Sequence, residues 1–171
     1  MELYHGTTVL NLEQITPHHD GHENTPYIFA TPNFASALRY ATNEKGNLYF
    51  GIENNTAIIV EKFPGAFEQT YQNTSGVIYV LPANEFRLTE LNNRTEYISR
   101  QPITPTRTIP IMDVMKKLRD AESRGLIKIY YYPNTPQNYL LYDEPLPQKT
   151  KRFIYKKFNQ ITKLYKKIKI R

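Results

Sequence analysis

Leu3-Tyr4-His5-Gly6-Thr7-Thr8 is a short run that begins with apolar residues and ends on a histidine, a glycine and two threonines. It predicts a first β-strand that ends at His5. A second run, residues 27–30, is rich in aromatic and β-branched residues and predicts a second strand. Thr31 and Pro32 are typical of an N-cap and a first helical residue. They predict a helix whose last turn carries Tyr40.

Further along the chain, predicted strands outnumber predicted helices. Residues 10–15 carry apolar side chains spaced for a turn or for a helix that ends before Pro17. Strands are predicted at 46–50, 57–63, 76–81, 97–103 and 127–132, and a helix at 112–124 that stops at Gly125. No regular alternation of strand and helix is visible, so the pattern favours an α+β fold over a doubly wound parallel sheet.

The composition is typical of one domain in a cytoplasmic protein. A chain of 171 residues is long enough to bury one substantial core. It has no apolar run of about eighteen residues that could span a membrane, and its first residues lack the features of a signal peptide. The absence of cysteine excludes disulfides and thiolate metal sites.

The positive charge is concentrated at the C-terminal end. Residues 149–171 hold ten of the 22 basic residues and no acidic residue, so residues 1–148 carry 12 basic and 16 acidic residues. Apolar side chains in this basic tail follow helical spacing and predict an amphipathic helix; they are Ile154, Phe158, Ile161, Tyr165 and Ile168. The tail therefore favours a polyanionic partner: nucleic acid, an anionic membrane surface or an acidic protein. The alternative is a helix docked on the domain with solvated lysines.

These features divide the chain into three parts. Residues 1–132 form the predicted domain, residues 133–148 a connector rich in proline, asparagine and glutamine, and residues 149–171 the basic helix.

Three separated motifs together resemble one known family. They are His5-Gly6-Thr7, Tyr40 after the second strand, and Thr95-Glu96-Tyr97-Ile98. The set is similar to the His-Tyr-Glu triad of ADP-ribosyltransferases, the fold shared by diphtheria toxin and the poly(ADP-ribose) polymerases. The resemblance covers roughly residues 1–115 and implies two small sheets packed around an NAD cleft. Taken singly, each residue also fits a structural role, as a turn glycine, a core aromatic or a surface glutamate.

The resemblance implies a role for each residue at the NAD cleft. His5 would bind the adenosine ribose, the backbone of Gly6 would hold the nicotinamide carboxamide, and Thr7 would reach the same amide. Tyr40 would stack on the nicotinamide ring, with Phe29 as the opposite wall.

Glu96 is the implied catalytic acid. Its carboxylate would hold the ribose 2′-OH and stabilise positive charge at the anomeric carbon. Glu85 is the competing candidate. Arg94 occupies the place where arginine-modifying relatives carry a second acidic residue, so arginine is not the expected acceptor.

The implied activity is NAD-dependent mono-ADP-ribosylation of a nucleic-acid or nucleic-acid-associated target, as in a toxin or phage effector restrained by an antitoxin. NAD would be the cosubstrate, and no metal is required. The alternative is a catalytically inactive module of the same fold that binds NAD, ADP-ribose or RNA. The related RNA 2′-phosphotransferases rank lower because they use arginines close to their histidines, and no arginine precedes Arg39. The His18–Glu23 segment, rich in histidine and acid, is predicted to be a solvated loop rather than a metal site.

Overall fold

Nine strands and three α-helices make up the described part of the chain. The computed structural model describes residues 1–19, 25–44, 46–54, 56–91, 94–136 and 139, with the backbone alone at 89–91 and 94–96. The strands are β1 (Glu2–Thr7), β2 (Ile28–Ala30), β3 (Leu48–Glu53), β4 (Thr56–Glu61), β5 (Gly76–Pro82), β6 (Arg87–Leu91), β7 (Arg94–Ser99), β8 (Arg107–Ile111) and β9 (Ile127–Tyr130). The helices are α1 (Phe34–Leu38), α2 (Ala66–Tyr71) and α3 (Val114–Ser123).

The described strands form three small sheets in an α+β arrangement, and the predicted fold class is confirmed at this level. The central sheet β1–β5–β8 and the sheet β2–β7–β6 are antiparallel, and β3–β4–β9 is mixed because β9 runs parallel to β4. The resemblance implied two sheets. The described strands form three because β1 and β2 meet in an isolated bridge, Tyr4–Thr31, rather than in a continuous ladder.

The two faces of the central sheet bury two separate apolar clusters. One face packs against α1, α3 and the sheet β3–β4–β9, with Ile78 of β5 in this first cluster. The other face packs against β2 and against Ile15 and Ile103, with Tyr79 of β5 in this second cluster. β5 is therefore buried on both faces, which explains its nearly uninterrupted apolar sequence.

Helix α1 is shorter than predicted and begins later. Its N-cap is Asn33, whose Oδ1 accepts a hydrogen bond from Ser36 N–H at 3.0 Å. The prediction of Thr31 as the N-cap was wrong because the backbone of Thr31 bridges β1 instead. The helix ends at Leu38, so Tyr40 lies in the turn that follows and not in the last helical turn.

Most other predicted elements are present, with shifted ends. The strand predicted at 97–103 is β7 and ends at Ser99, and α3 ends before Gly125, which has a positive φ of 70°. The region 10–15 holds no helix; Ile15 there bridges Ile103. The sequence prediction missed α2, β6 and β8, which are short elements.

The first compact unit of the chain, Met1–Thr135, contains all of these elements. The basic tail 149–171, with its predicted helix, lies outside the described residues, as does most of the predicted connector. Within the described ranges, none of the helices has the length and apolar character needed to cross a membrane.

Candidate functional site

The ladder between β1 and β2 is interrupted directly after one pair. Tyr4 N–H donates to the Thr31 carbonyl at 2.8 Å, and Thr31 N–H donates to the Tyr4 carbonyl at 3.1 Å. In a continuous antiparallel ladder the next hydrogen-bonded pair would be Gly6 and Phe29. Instead, Nδ1 of His5 lies 2.8 Å from the Phe29 carbonyl oxygen. The His5 imidazole thus uses the acceptor that a ladder would offer to Gly6 N–H.

The backbone donor and acceptor of Gly6 consequently point to a strand edge that no ladder continues, called the open edge, although the residue as a whole is buried. Gly6 pairs with Ile78 of β5 in register, but peptide groups along a strand point alternately to its two edges. Since Tyr4 directs its N–H and C=O to Thr31, those of Gly6 point the same way, away from β5. The Tyr4–Thr31 bridge is isolated, so the ladder does not continue to Gly6.

Gly6 is also required by the close approach of α1. A Cβ at residue 6 would lie 2.0 Å from the carbonyl oxygen of Ala37, which no side chain tolerates. The same oxygen accepts the N–H of Tyr40 at 3.1 Å. The backbone of Gly6 therefore touches the turn that carries Tyr40, and helix packing alone already explains the glycine.

His5 is held as a neutral imidazole with one defined tautomer. Because a carbonyl only accepts, Nδ1 must carry the proton that it donates to Phe29. Burial lowers the pKa of His5 below its ordinary 6.5, the nearby His18 lowers it too, and the Phe29 carbonyl partly opposes them. Nε2 is then an acceptor, the group that a ribose hydroxyl can donate to.

Tyr40 has a partly exposed ring that packs against the buried guanidinium of Arg39. Tyr40 is 45% exposed, and its ring meets that of Phe50 edge to face, with centroids 5.3 Å apart. The Arg39 guanidinium lies 5.6 Å from the Tyr40 ring centroid and 5.5 Å from that of Phe50. Arg39 also donates to the carbonyls of Gly51 and Ile58 at 2.7 and 2.8 Å, which anchors the turn to β3 and β4.

The two remaining cleft candidates lie beside His5. Phe29 is the middle residue of β2, and its half-buried ring packs edge-on against Tyr27, with the ring centroids 6.0 Å apart. In the described part of the chain, the rings of Phe29 and Tyr40 are not in contact with each other: Phe29 contacts Tyr27, and Tyr40 contacts Phe50. Thr7 ends β1, and its hydroxyl accepts the N–H of Val9 at 3.2 Å while keeping its own proton free to donate.

The backbone places Glu96 on the neighbouring sheet, near the bridge. β2 and β7 pair as Ala30 with Tyr97, and one further step of that register sets Glu96 opposite Thr31. Thr31 in turn lies opposite Tyr4. Two strand spacings of about 4.8 Å put the Glu96 backbone roughly 10 Å from β1. The side chain of Glu96 lies outside the described part of the structure.

Glu85 lies at the opposite end of the central sheet. β5 pairs Ile78 with Gly6 and Pro82 with Glu2, and Glu85 follows in a 3₁₀ turn. The four residues from Ile78 to Pro82 cover roughly 13 Å. Glu85 is exposed, and its Oε1 accepts from the Asn84 amide at 3.4 Å. By these register spacings neither acid lies next to Gly6, since Glu96 is displaced from it by two strands and two residues, and the choice of Glu96 over Glu85 stays a prediction.

Sequence reasoning missed three residues that build this region. Arg39 and Phe50 support Tyr40, and Asn33 caps the helix that approaches Gly6. The Asn33 cap could have been predicted from the sequence, since asparagine is one of the preferred N-cap residues and Asn33 directly precedes the apolar residues of α1. The Phe50 contact had no local signature. Among described residues no group of three or more metal-ligating side chains occurs, and residues 20–24 of the histidine-rich loop lie outside that range.

The arrangement joins a planar donor–acceptor edge, an imidazole acceptor and an exposed aromatic ring within one corner of the fold. These groups suit a ligand that carries a carboxamide, hydroxyl groups and a flat ring. Comparisons with known protein families, with curated proteins and with solved structures find no match to this chain.

Proposed function

We propose that this chain is an NAD-dependent ADP-ribosyltransferase that uses the cleft opened between β1 and β2. The observation that carries the proposal is the open edge at Gly6. One peptide donor and one peptide acceptor lie side by side there, because His5 has replaced Gly6 at the Phe29 carbonyl. A carboxamide is the planar group that satisfies both at once.

The other groups match the rest of the NAD molecule. The neutral His5 accepts a ribose hydroxyl at Nε2, and the Thr7 hydroxyl donates to the carboxamide oxygen. Tyr40 stacks on the nicotinamide ring, a contact worth about 0.5–1.5 kcal/mol. Phe29 closes the side of the cleft next to His5.

Glu96 supplies the charge that drives bond cleavage. The bond between the nicotinamide nitrogen and the ribose anomeric carbon breaks, and its electron pair leaves with nicotinamide. A carboxylate on the ribose 2′-OH stabilises the resulting oxocarbenium-like carbon. A nucleophile of the acceptor then bonds to that carbon and loses its proton.

The fold and the charge of the chain support the finer assignment. The separation of β1 from β2 resembles the NAD cleft between two sheets of the ADP-ribosyltransferase fold. Arg94 argues against an arginine acceptor, and ten cations in 149–171 favour a nucleic-acid or nucleic-acid-associated acceptor. With the resemblance to ADP-ribosyltransferases we also propose action as a toxin or phage effector, whose basic tail an acidic antitoxin could bind.

The test is nicotinamide release from NAD by the full chain, measured with and without RNA, DNA and protein. Glu96→Gln keeps the shape of the side chain and removes its charge. Turnover should fall about 100-fold or more while the Kd for NAD changes little, since the lost interaction acts in the transition state. Mass spectrometry of each macromolecule after incubation with labelled NAD identifies the acceptor.

Glu85→Gln is the matched control and should leave nicotinamide release in the absence of nucleic acid within about twofold of the wild type. Equal losses in both variants would contradict the assignment of Glu96. NAD binding without nicotinamide release under any condition would support the inactive binding module instead. Absence of NAD binding would overturn both.

A further inference from the structure

A concave surface lies on the sheet β2–β7–β6. It is an open depression of about 410 Å³, called here the β6–β7 depression, and its lining includes Asn84, Glu85, Arg87, Ser99, Arg100 and Gln101. Ser99 follows Glu96 by three residues on the same strand, a distance of roughly 10 Å. The depression is therefore adjacent to the proposed reaction site but separate from the Gly6 edge.

Two arginines give this depression its charge. Arg87 and Arg100 are exposed, and among the described residues neither forms an ion pair with a carboxylate. By contrast, Arg107 on the central sheet pairs with Glu2 at 3.1 Å. Glu85 is the acidic residue of the lining, and it is within hydrogen-bond distance of Asn84 rather than of an arginine. The depression thus offers guanidinium groups to an outside anion.

Arg100 is oriented toward this role by an aromatic support. Its Nη2 donates to the Tyr27 hydroxyl at 2.9 Å, and its guanidinium lies 5.2 Å from the Tyr27 ring centroid. This hydrogen bond lowers the pKa of Tyr27. Tyr27 also contacts Phe29 and bridges His18, whose ring lies 6.4 Å from that of His5. A continuous chain of contacts thus connects Arg100 to the proposed NAD cleft.

Guanidinium groups bind phosphate oxygens with directed, charge-assisted hydrogen bonds, and serine, glutamine and asparagine side chains add neutral ones. A nucleotide that reacts at the Gly6 edge must leave a stacked duplex, which favours a single strand. We propose that the β6–β7 depression binds a phosphodiester of a single-stranded nucleic acid through Arg87 and Arg100. Its identity as the acceptor rests on the proposed function, whereas the binding itself requires no NAD cleavage.

The test is the fluorescence anisotropy of a labelled single-stranded oligonucleotide with the full chain, without NAD, over a series of salt concentrations. Arg87→Gln/Arg100→Gln should weaken binding about 10-fold. It should also flatten the slope of log K against log salt by about 1.4, since each lost phosphate contact contributes about 0.7 on a single strand. Tyr27→Phe keeps the ring but removes the hydrogen bond to Arg100, and should weaken binding about two- to threefold with an unchanged slope.

The matched control removes two charges elsewhere. Lys117 and Arg124 are exposed on and directly after α3, which packs on the opposite face of the central sheet. Lys117→Gln/Arg124→Gln should leave binding within about twofold. Equal losses in the two double variants, or no loss in either, would overturn the proposal, because net charge or the basic tail would then account for binding.

A second measurement shows whether the two arginines bind the phosphodiester of the oligonucleotide or the pyrophosphate of NAD. The Kd for NAD should be unchanged in Arg87→Gln/Arg100→Gln. If NAD binding weakens and oligonucleotide binding does not, the arginines contact the NAD pyrophosphate and the proposal is wrong. Failure of the proposed function is distinguishable, since oligonucleotide binding by the arginines would then persist in a chain that releases no nicotinamide.

Discussion

At the scale of single residues, His5 links the fold to the candidate site. Its imidazole takes the Phe29 carbonyl, and this one hydrogen bond of 2.8 Å both ends the β1–β2 ladder and leaves the Gly6 peptide groups on an open edge. The same bond requires the proton on Nδ1. A positively charged His5 would keep its hydrogen bond to Phe29 but would be poorly solvated, and burial, the main cause of its lowered pKa, favours the neutral form.

The lowered pKa of His5 predicts a pH dependence of stability. Below pH 6.5 the unfolded chain takes up a proton at this residue, whereas the folded chain resists it. The free energy of unfolding should therefore fall as the pH drops, with a contribution of at most about 1.4 kcal/mol per pH unit. Urea denaturation at a series of pH values between about 7.5 and 5 measures this change in the free energy of unfolding. His5→Gln, which can still donate to Phe29, should reduce the slope; an identical slope in both proteins would contradict the prediction.

Tyr40 should contribute to NAD binding more than to chemistry. Tyr40→Ala removes the stacking ring and should raise the Kd for NAD roughly 3- to 10-fold, while Tyr40→Phe keeps the ring and should be mild. Isothermal titration with NAD measures both. Tyr132 is a comparably exposed tyrosine, at 43% against 45% for Tyr40, and lies after β9. Tyr132→Ala should leave the Kd unchanged, and an equal effect of the two alanine variants would exclude the stacking role.

At the scale of elements, α1 connects sequence to site geometry. It has five residues, too few to be stable alone, so its cap and its packing against Gly6 hold it in place. Its C-terminal turn carries Arg39 and Tyr40. A small displacement of this helix would therefore move the aromatic wall relative to the Gly6 edge.

The two helix caps allow a matched test of this coupling. Asn33 caps α1 through Ser36 N–H at 3.0 Å, and Asp113 caps α3 through Lys116 N–H at 2.8 Å. Either Asn33→Ala or Asp113→Ala should lower the free energy of unfolding by about 1 kcal/mol. Only Asn33→Ala should also weaken NAD binding, by about threefold or more. Equal Kd values in the two variants would show that α1 does not position the site.

At the scale of the whole molecule, the charge is divided between a domain and a tail. The residues before 149 carry an excess of acidic side chains, and residues 149–171 carry ten cations. Residues 1–148 carry a net negative charge, as nucleic acid does, and would repel it. The positively charged tail would therefore provide the long-range attraction. The arginines of the β6–β7 depression would act at short range, after encounter.

Removal of residues 149–171 should separate these contributions. Nicotinamide release in the absence of acceptor should remain largely intact, whereas oligonucleotide affinity should fall and its salt slope should flatten by roughly 0.7 for each lost phosphate contact. Circular dichroism and thermal unfolding check that the shortened chain is folded. Unfolding of the shortened chain would indicate that the helically spaced apolar residues of the tail are part of the hydrophobic core. Unchanged oligonucleotide binding would assign the tail to an anionic membrane or an acidic protein.

The α+β class and the position of most elements follow from local patterns in the amino-acid sequence. A short apolar run predicted β1, a segment rich in β-branched residues predicted β4, and a helical spacing with a following glycine predicted α3, because these patterns depend on neighbours a few residues apart. The short elements α2, β6 and β8 lacked such patterns. Their existence depends on packing and pairing with segments far away in the chain.

The contacts among the candidate residues, in contrast, join segments that lie far apart in the chain. His5 contacts Phe29 across 24 positions, Gly6 contacts Ala37, and Tyr40 rests on Phe50. The local sequence around Gly6 is compatible with an ordinary strand end. The open edge arises because the His5 side chain, rather than the Gly6 N–H, is hydrogen-bonded to the Phe29 carbonyl on β2. This hydrogen bond depends on long-range packing, which local sequence propensities do not predict.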